Sequence, residues 1–124
     1  MTVIFSKSLL SMLPNKFIHV FITSELRGKI GINIYLKGVF LDREILRELR
    51  CHWLKEFHIF QRTANPYTYH EELIRVLKIL DKANVPIVVN SELMRDLANA
   101  LFNDPYETDK ALTELKLNNL KVVG

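Results

Sequence analysis

The pentapeptide "YHEEL", residues 69–73, sets an imidazole beside two carboxylates at the start of a run with helical periodicity. In the first turn of a helix, free backbone N–H groups can hold a phosphate while His70 transfers a proton and Glu71 assists it. A simpler account uses the same residues. Thr68 and Glu71 have the spacing of a capping box and Glu72 suits the positive end of a helix dipole, which leaves His70 as a residue that merely begins a helix. His19, His52 and His58 share no metal-ligand spacing with His70 or with the one cysteine, Cys51. Cys51 and His52 would point about 100° apart on a helix, which defeats a thiolate–imidazole pair. There is no phosphate loop, no glycine-rich dinucleotide turn and no Gly-x-Ser-x-Gly elbow. No metal and no cofactor is expected, and the balance of these features is against an enzyme.

Arginines offer a second chemistry. Arg43, Arg47 and Arg50 recur at i, i+4 and i+7, away from the apolar positions Ile45, Leu49 and Trp53, so on a helix they form a ridge of guanidinium groups suited to phosphates. Tyr35 and Lys37 on the outer face of a preceding strand, with Arg27 and Lys29 in the turn before it, would extend that ridge with a stacking ring and further charge. Glu44 and Glu48 are interleaved and lower the local charge, as they would on an ordinary solvated face.

The elements that position these residues follow from periodicity. "TVIFS" and "FIHVFIT" are rich in β-branched and aromatic residues and predict strands joined by the turn "LPNK". In "KIGINIYLKG", Ile30, Ile32, Ile34 and Leu36 alternate with polar residues, the pattern of a half-buried strand. Asp42 caps an expected helix running to Phe57, with Ile45, Leu46, Leu49, Trp53, Leu54 and Phe57 on one stripe. "QRTANPY" breaks the pattern before a second helix carrying Leu73, Val76, Leu77 and Leu80, which Asn84 ends. "VPIVV" reads as a central strand, "SELMRDLANALF" as a helix closed by "NDP", and the tail as a short helix, an Asn118–Asn119 turn and a final strand. Ile32, Ile34, Leu36, Ile45, Leu49, Trp53, Leu77 and Leu112 are expected to share one core. The whole predicts one α+β domain over residues 1–124, a two-layer sandwich of helices on a mostly antiparallel sheet. Residues 1–28 form an N-terminal extension of strands on a core spanning 29–124.

Composition agrees with a packed domain: 124 residues, 48% hydrophobic and 25% charged, supply enough apolar material for a core. A net charge of +3 and a pI near 9.1 permit an anionic partner without demanding one. A lone cysteine excludes an internal disulfide and fits a reducing, intracellular compartment, mitochondrial or cytoplasmic, rather than secretion. No apolar run approaches the ~20 residues of a membrane span, so no membrane partner is expected. The opening "MTVIFSKSLLSMLPNK" shares the serine and lysine content of transit peptides but lacks arginine, and is expected to be a first strand and loop rather than a removed leader.

The order of motifs resembles the small-subunit ribosomal protein numbered ten, the family also known as NusE. That resemblance rests on the alternating strand with Ile32, Ile34, Leu36 and Lys37, followed by the helix expected from Asp42 to Phe57. It continues through Pro66 to Val76, Leu77 and Lys78, and closes on Thr108, Ala111, Leu112, Leu115 and Leu117 before "LKVV". It covers residues 29–124. It implies a structural RNA-binding protein of the small ribosomal subunit, with ribosomal RNA and neighbouring ribosomal proteins as partners and Arg27, Lys29, Tyr35, Lys37, Arg43, Arg47 and Arg50 on the RNA. In the family a basic stretch after the Val-Leu step enters ribosomal RNA; here "ILDKANVPIVVNSELM" is apolar, as in a divergent organellar form where protein contacts replace RNA contacts.

Two further readings compete. "VIFSKSLLSMLPNKF" and "YHEELIRVLKILDKANVP" are similar to the opening loop and the histidine-helix segment of the viral ring nucleases, which implies a small phosphodiesterase acting on cyclic oligoadenylate through His70 and Glu71. Tyr69 stands where that family has glycine. A non-enzymatic protein-interaction module fits the composition equally.

Overall fold

The structure is a computed structural model that describes residues 13–24 and 27–124. The strand expected over "TVIFS" lies outside the described residues. Strand β1 (Phe17–Ser24) and strand β2 (Ile30–Lys37) form an antiparallel pair in which Ile18, Val20 and Ile22 oppose Leu36, Ile34 and Ile32. The β-branched alternation of both segments therefore lies on one face of the sheet, as period-2 patterning requires. Gly28, at φ 72°, supplies a left-handed residue in the turn that joins them.

Helix α1 (Arg43–Leu49) begins where expected, with the Asp42 carboxylate accepting from the Ile45 N–H at 2.9 Å. It then stops eight residues short of Phe57. Arg50 adopts a left-handed conformation at φ 53°, and the chain turns into strand β3 (His52–Leu54), a turn through Lys55 to His58, and strand β4 (Ile59–Ala64). The apolar stripe expected on one long helix is thus split between a two-turn helix and a hairpin in which Trp53 opposes Phe60. Trp53 is 51% exposed instead of sharing the core, and Phe57 is exposed in the turn. Aromatic and β-branched residues in "HWL" and "IFQRT" favour extended chain, and β4 finds a partner in β2, with Ile34 opposite Phe60. Tertiary pairing outweighs the helical spacing.

Helix α2 (Tyr69–Asp81) presents Leu73, Val76, Leu77 and Leu80, all fully buried, to the sheet. The capping box expected at its start does not form: the Thr68 side chain makes no cap hydrogen bond. Asn84, at φ 56°, follows the helix end. Strand β5 (Ile87–Asn90) buries Ile87, Val88 and Val89 completely, as its apolar run predicts for a strand flanked on both sides. The Asn90 side chain then accepts from the Leu93 N–H at 2.8 Å and caps helix α3 (Ser91–Phe102), which Asn103 ends in a left-handed conformation. Helix α4 (Thr108–Leu115) and strand β6 (Leu120–Val123) complete the described chain. The Asp81 carboxylate holds the Asn118–Asn119 turn by accepting from both backbone N–H groups.

The sheet order is β3-β4-β2-β1-β5-β6. The β3–β4, β4–β2 and β2–β1 pairings are antiparallel, whereas β1–β5 and β5–β6 are parallel. The fold is a single α+β domain with a mixed sheet in which antiparallel pairing predominates. All four helices contribute to one core with Ile18, Val20, Ile32, Ile34, Ile87 and Val89. Alternation puts Phe17, His19, Asn33, Ile59 and Val88 on the opposite face, where they too are buried. Among the described residues no helix is long and apolar enough to cross a membrane.

Candidate functional site

The end of α1 needs hydrogen-bond donors, because the last carbonyls of a helix have no partners within it. Arg75, from the exposed flank of α2, donates to the carbonyl oxygens of Glu48 at 2.8 Å and Leu49 at 3.1 Å. Arg62, from β4, donates to that of Arg50 at 3.2 Å. Positive charge at the negative end of a helix dipole adds to these bonds. Glu72 fixes both donors: its carboxylate accepts from Arg75 Nε at 2.8 Å and from Arg62 Nε at 3.0 Å, with a second Arg62 bond at 3.3 Å. Burial works against the Glu72 charge, but hydrogen bonds from Arg75 and Arg62 outweigh it and hold the carboxyl below its usual pKa.

These groups line a cleft of about 630 Å³ with Arg47, Arg50, Glu48 and Ile79. Four guanidinium groups there face two carboxylates. Arg62 and Arg75 are committed to Glu72 and the helix end, and Glu48 pairs with Lys82 at 2.9 Å. Arg47 and Arg50 have no ion pair among the described residues. What the arrangement offers is two available guanidinium groups in front of a fixed positive wall, a setting for phosphate oxygens.

A second, adjacent side of α1 borders an apolar groove of about 450 Å³. Leu46 of α1, Leu36 and Tyr35 of β2, Phe40 of the loop, and Trp53, His58 and Phe60 of the hairpin line it. Phe40 is fully exposed, and Trp53 rests on Phe60 with 4.8 Å between ring centroids.

Of the expected RNA-binding residues, Arg47 and Arg50 share the cleft, although Arg50 has left the helix. Arg43 remains exposed on the first turn of α1, on the same side as Arg47 by helical spacing. Tyr35 lies in the apolar groove. Arg27 and Lys29 sit exposed at one end of β2 and Lys37 at the other, roughly 25 Å away along eight extended residues. The seven do not form one patch. Sequence reasoning missed Arg62, Glu72 and Arg75; the i, i+3 pair Glu72–Arg75 was the visible signal, but its link to α1 is purely tertiary.

His70 occupies the first turn of α2, its ring packed on Tyr69 at 3.9 Å between centroids. Burial lowers its pKa, against an opposing effect of Asp96 from α3, and burial and Asp96 both raise that of Tyr69. Glu72, two residues on, is turned away to Arg62 and Arg75 and forms no pair with His70. Cys51 is pushed up to about 11 by burial, against the lowering influence of Arg62 and Arg75, so its thiol stays protonated and unreactive near neutral pH. Among the described residues no group of three or more histidine, cysteine or carboxylate side chains is placed to hold a metal. Compared with known proteins, the chain matches no family model, no curated protein and no solved structure.

Proposed function

We propose that the protein binds RNA without catalysing a reaction, gripping backbone phosphates with Arg43, Arg47 and Arg50. The observation that carries this reading is the cleft at the end of α1. Arg62 and Arg75 are immobilised there by Glu72 and the helix carbonyls, while Arg47 and Arg50 stay available beside them. Fixed positive charge attracts a polyanion without ordering further side chains, and neutralised phosphates release condensed counterions.

Replacing Arg43, Arg47 and Arg50 by glutamine should leave thermal unfolding nearly unchanged, since all three side chains are exposed. RNA affinity should fall roughly 10- to 100-fold at moderate salt, and the slope of log K against log salt should shrink by about 0.7–0.9 for each phosphate no longer neutralised. An unchanged affinity and slope in the folded triple variant would remove α1 from the interface.

The setting in a small ribosomal subunit is proposed on the resemblance alone. The shortening of α1 weakens the helix match on which that resemblance opens. Co-sedimentation of the protein with a ribosomal particle tests it.

A further inference from the structure

Resting on the RNA-binding reading, we propose that the apolar groove beside α1 receives an unpaired base, which makes single-stranded RNA the preferred ligand. Phe40 and Trp53, two large aromatic side chains exposed to water, flank one groove, whose floor is formed by Leu36, Leu46 and Phe60. Flat apolar walls with exposed rings suit a nucleobase, because every base has a π-face and stacking does not depend on its identity. His58, edge-on to Trp53 at 6.2 Å, adds a polar rim.

Charge supplies the second half of the argument. The basic cleft and the groove lie on adjacent sides of the same short helix: Leu46 faces the groove, and the next residue, Arg47, about 100° round, faces the cleft. At most about 10 Å of extended chain separates Arg50 from Trp53. A strand crossing α1 with its phosphates on Arg43, Arg47 and Arg50 can therefore turn a base into the groove. A duplex keeps its bases stacked inside and can use only the arginines. Arg47 and Arg50 of the neighbouring cleft put positive charge beside the groove, so an anionic strand fits it better than a neutral apolar peptide.

Trp53 is the only tryptophan in the chain, so its fluorescence reports on the groove directly. A short single-stranded RNA of mixed sequence, and the same strand annealed to its complement, should be titrated into the protein while anisotropy follows binding of the labelled RNA. The single strand should quench Trp53 over the concentration range in which it binds; the duplex should bind with little change. Trp53→Ala and Phe40→Ala should each weaken single-strand binding about 10-fold and leave duplex binding and the salt slope alone. Single-strand binding with Trp53 fluorescence unmoved, or equal losses for strand and duplex in the variants, would overturn the base pocket while leaving the arginine interface standing. Absence of binding by either RNA would overturn both. A fluorescence change that depends on protein concentration without RNA would assign the groove to self-association instead, and so overturn the proposal.

Discussion

Arg75 and Leu49 stand 26 positions apart, yet the Arg75 guanidinium donates to the Leu49 carbonyl at 3.1 Å and thereby completes the end of α1 from another helix. Since Glu72 aims that guanidinium, truncation of Arg75 leaves Glu72 with Arg62 as its one arginine partner and uncovers two helix carbonyls together. Arg75→Ala should cost about 1–3 kcal/mol in urea unfolding, the range for hydrogen bonds to charged groups. A loss below ~0.3 kcal/mol would mean that water replaces the guanidinium without penalty. RNA binding gives a second readout, because Arg47 and Arg50 lose their fixed neighbour.

His19 ties stability to pH. Burial lowers its pKa to about 4 from an ordinary 6.5, and its ring stacks on Phe21 with 4.9 Å between centroids. Above pH 6.5 both folded and unfolded forms are neutral and the native state keeps its full stability. As pH falls below 6.5 the unfolded chain takes up a proton that the native chain refuses, so stability declines until about pH 4. Between pH 7 and pH 4.5 the loss from this group should reach about 2 kcal/mol. Urea unfolding of the wild type and of His19→Phe at both pH values measures it as the difference between their losses. Glu72, whose depressed pKa also makes stability fall in acid, is common to both proteins and cancels.

Trp53 and Leu77 should lose unequal amounts of stability on truncation. Leu77 is fully buried in the core, and Leu77→Ala should cost about 2–5 kcal/mol. Trp53 is half in water and touches mainly the hairpin, so Trp53→Ala should cost about 1 kcal/mol or less. Comparable losses for the two would place Trp53 in the core that its spacing from Leu49 suggested.

That contrast shows where the sequence is readable. Ile32 and Ile34, Leu73 to Leu80, and Leu93 to Leu97 carry long runs of one period, and the structure puts each on the buried side of the expected element. Residues 50–60 failed for a physical reason. Leu49, Trp53, Leu54 and Phe57 happen to fall at steps that fit a helix, and a strand of three residues is too short to display its own alternation. The stop signal, a left-handed arginine at position 50, has no sequence signature comparable to glycine. At the site, the available side chains of Arg47 and Arg50 were legible because one segment carries both. Arg62 and Arg75 were not, since β4 and α2 bring them together only when the sheet and helix layer close.

Asn33 gives the sheet something that apolar packing cannot. It is completely buried on β2, its amide donates to the Phe21 and Gly31 carbonyls and the Thr23 hydroxyl, and its carbonyl accepts from Gln61 on β4 at 2.8 Å. Three strands meet at that one side chain. Isoleucines at 30, 32 and 34 would pack almost as well after a slide of two residues, whereas the amide finds partners in one alignment only. A slide of a single residue would drive it into the apolar layer beneath the helices. Asn33 therefore acts as an alignment pin, trading some stability for the exclusion of neighbouring registers as β1, β2 and β4 assemble.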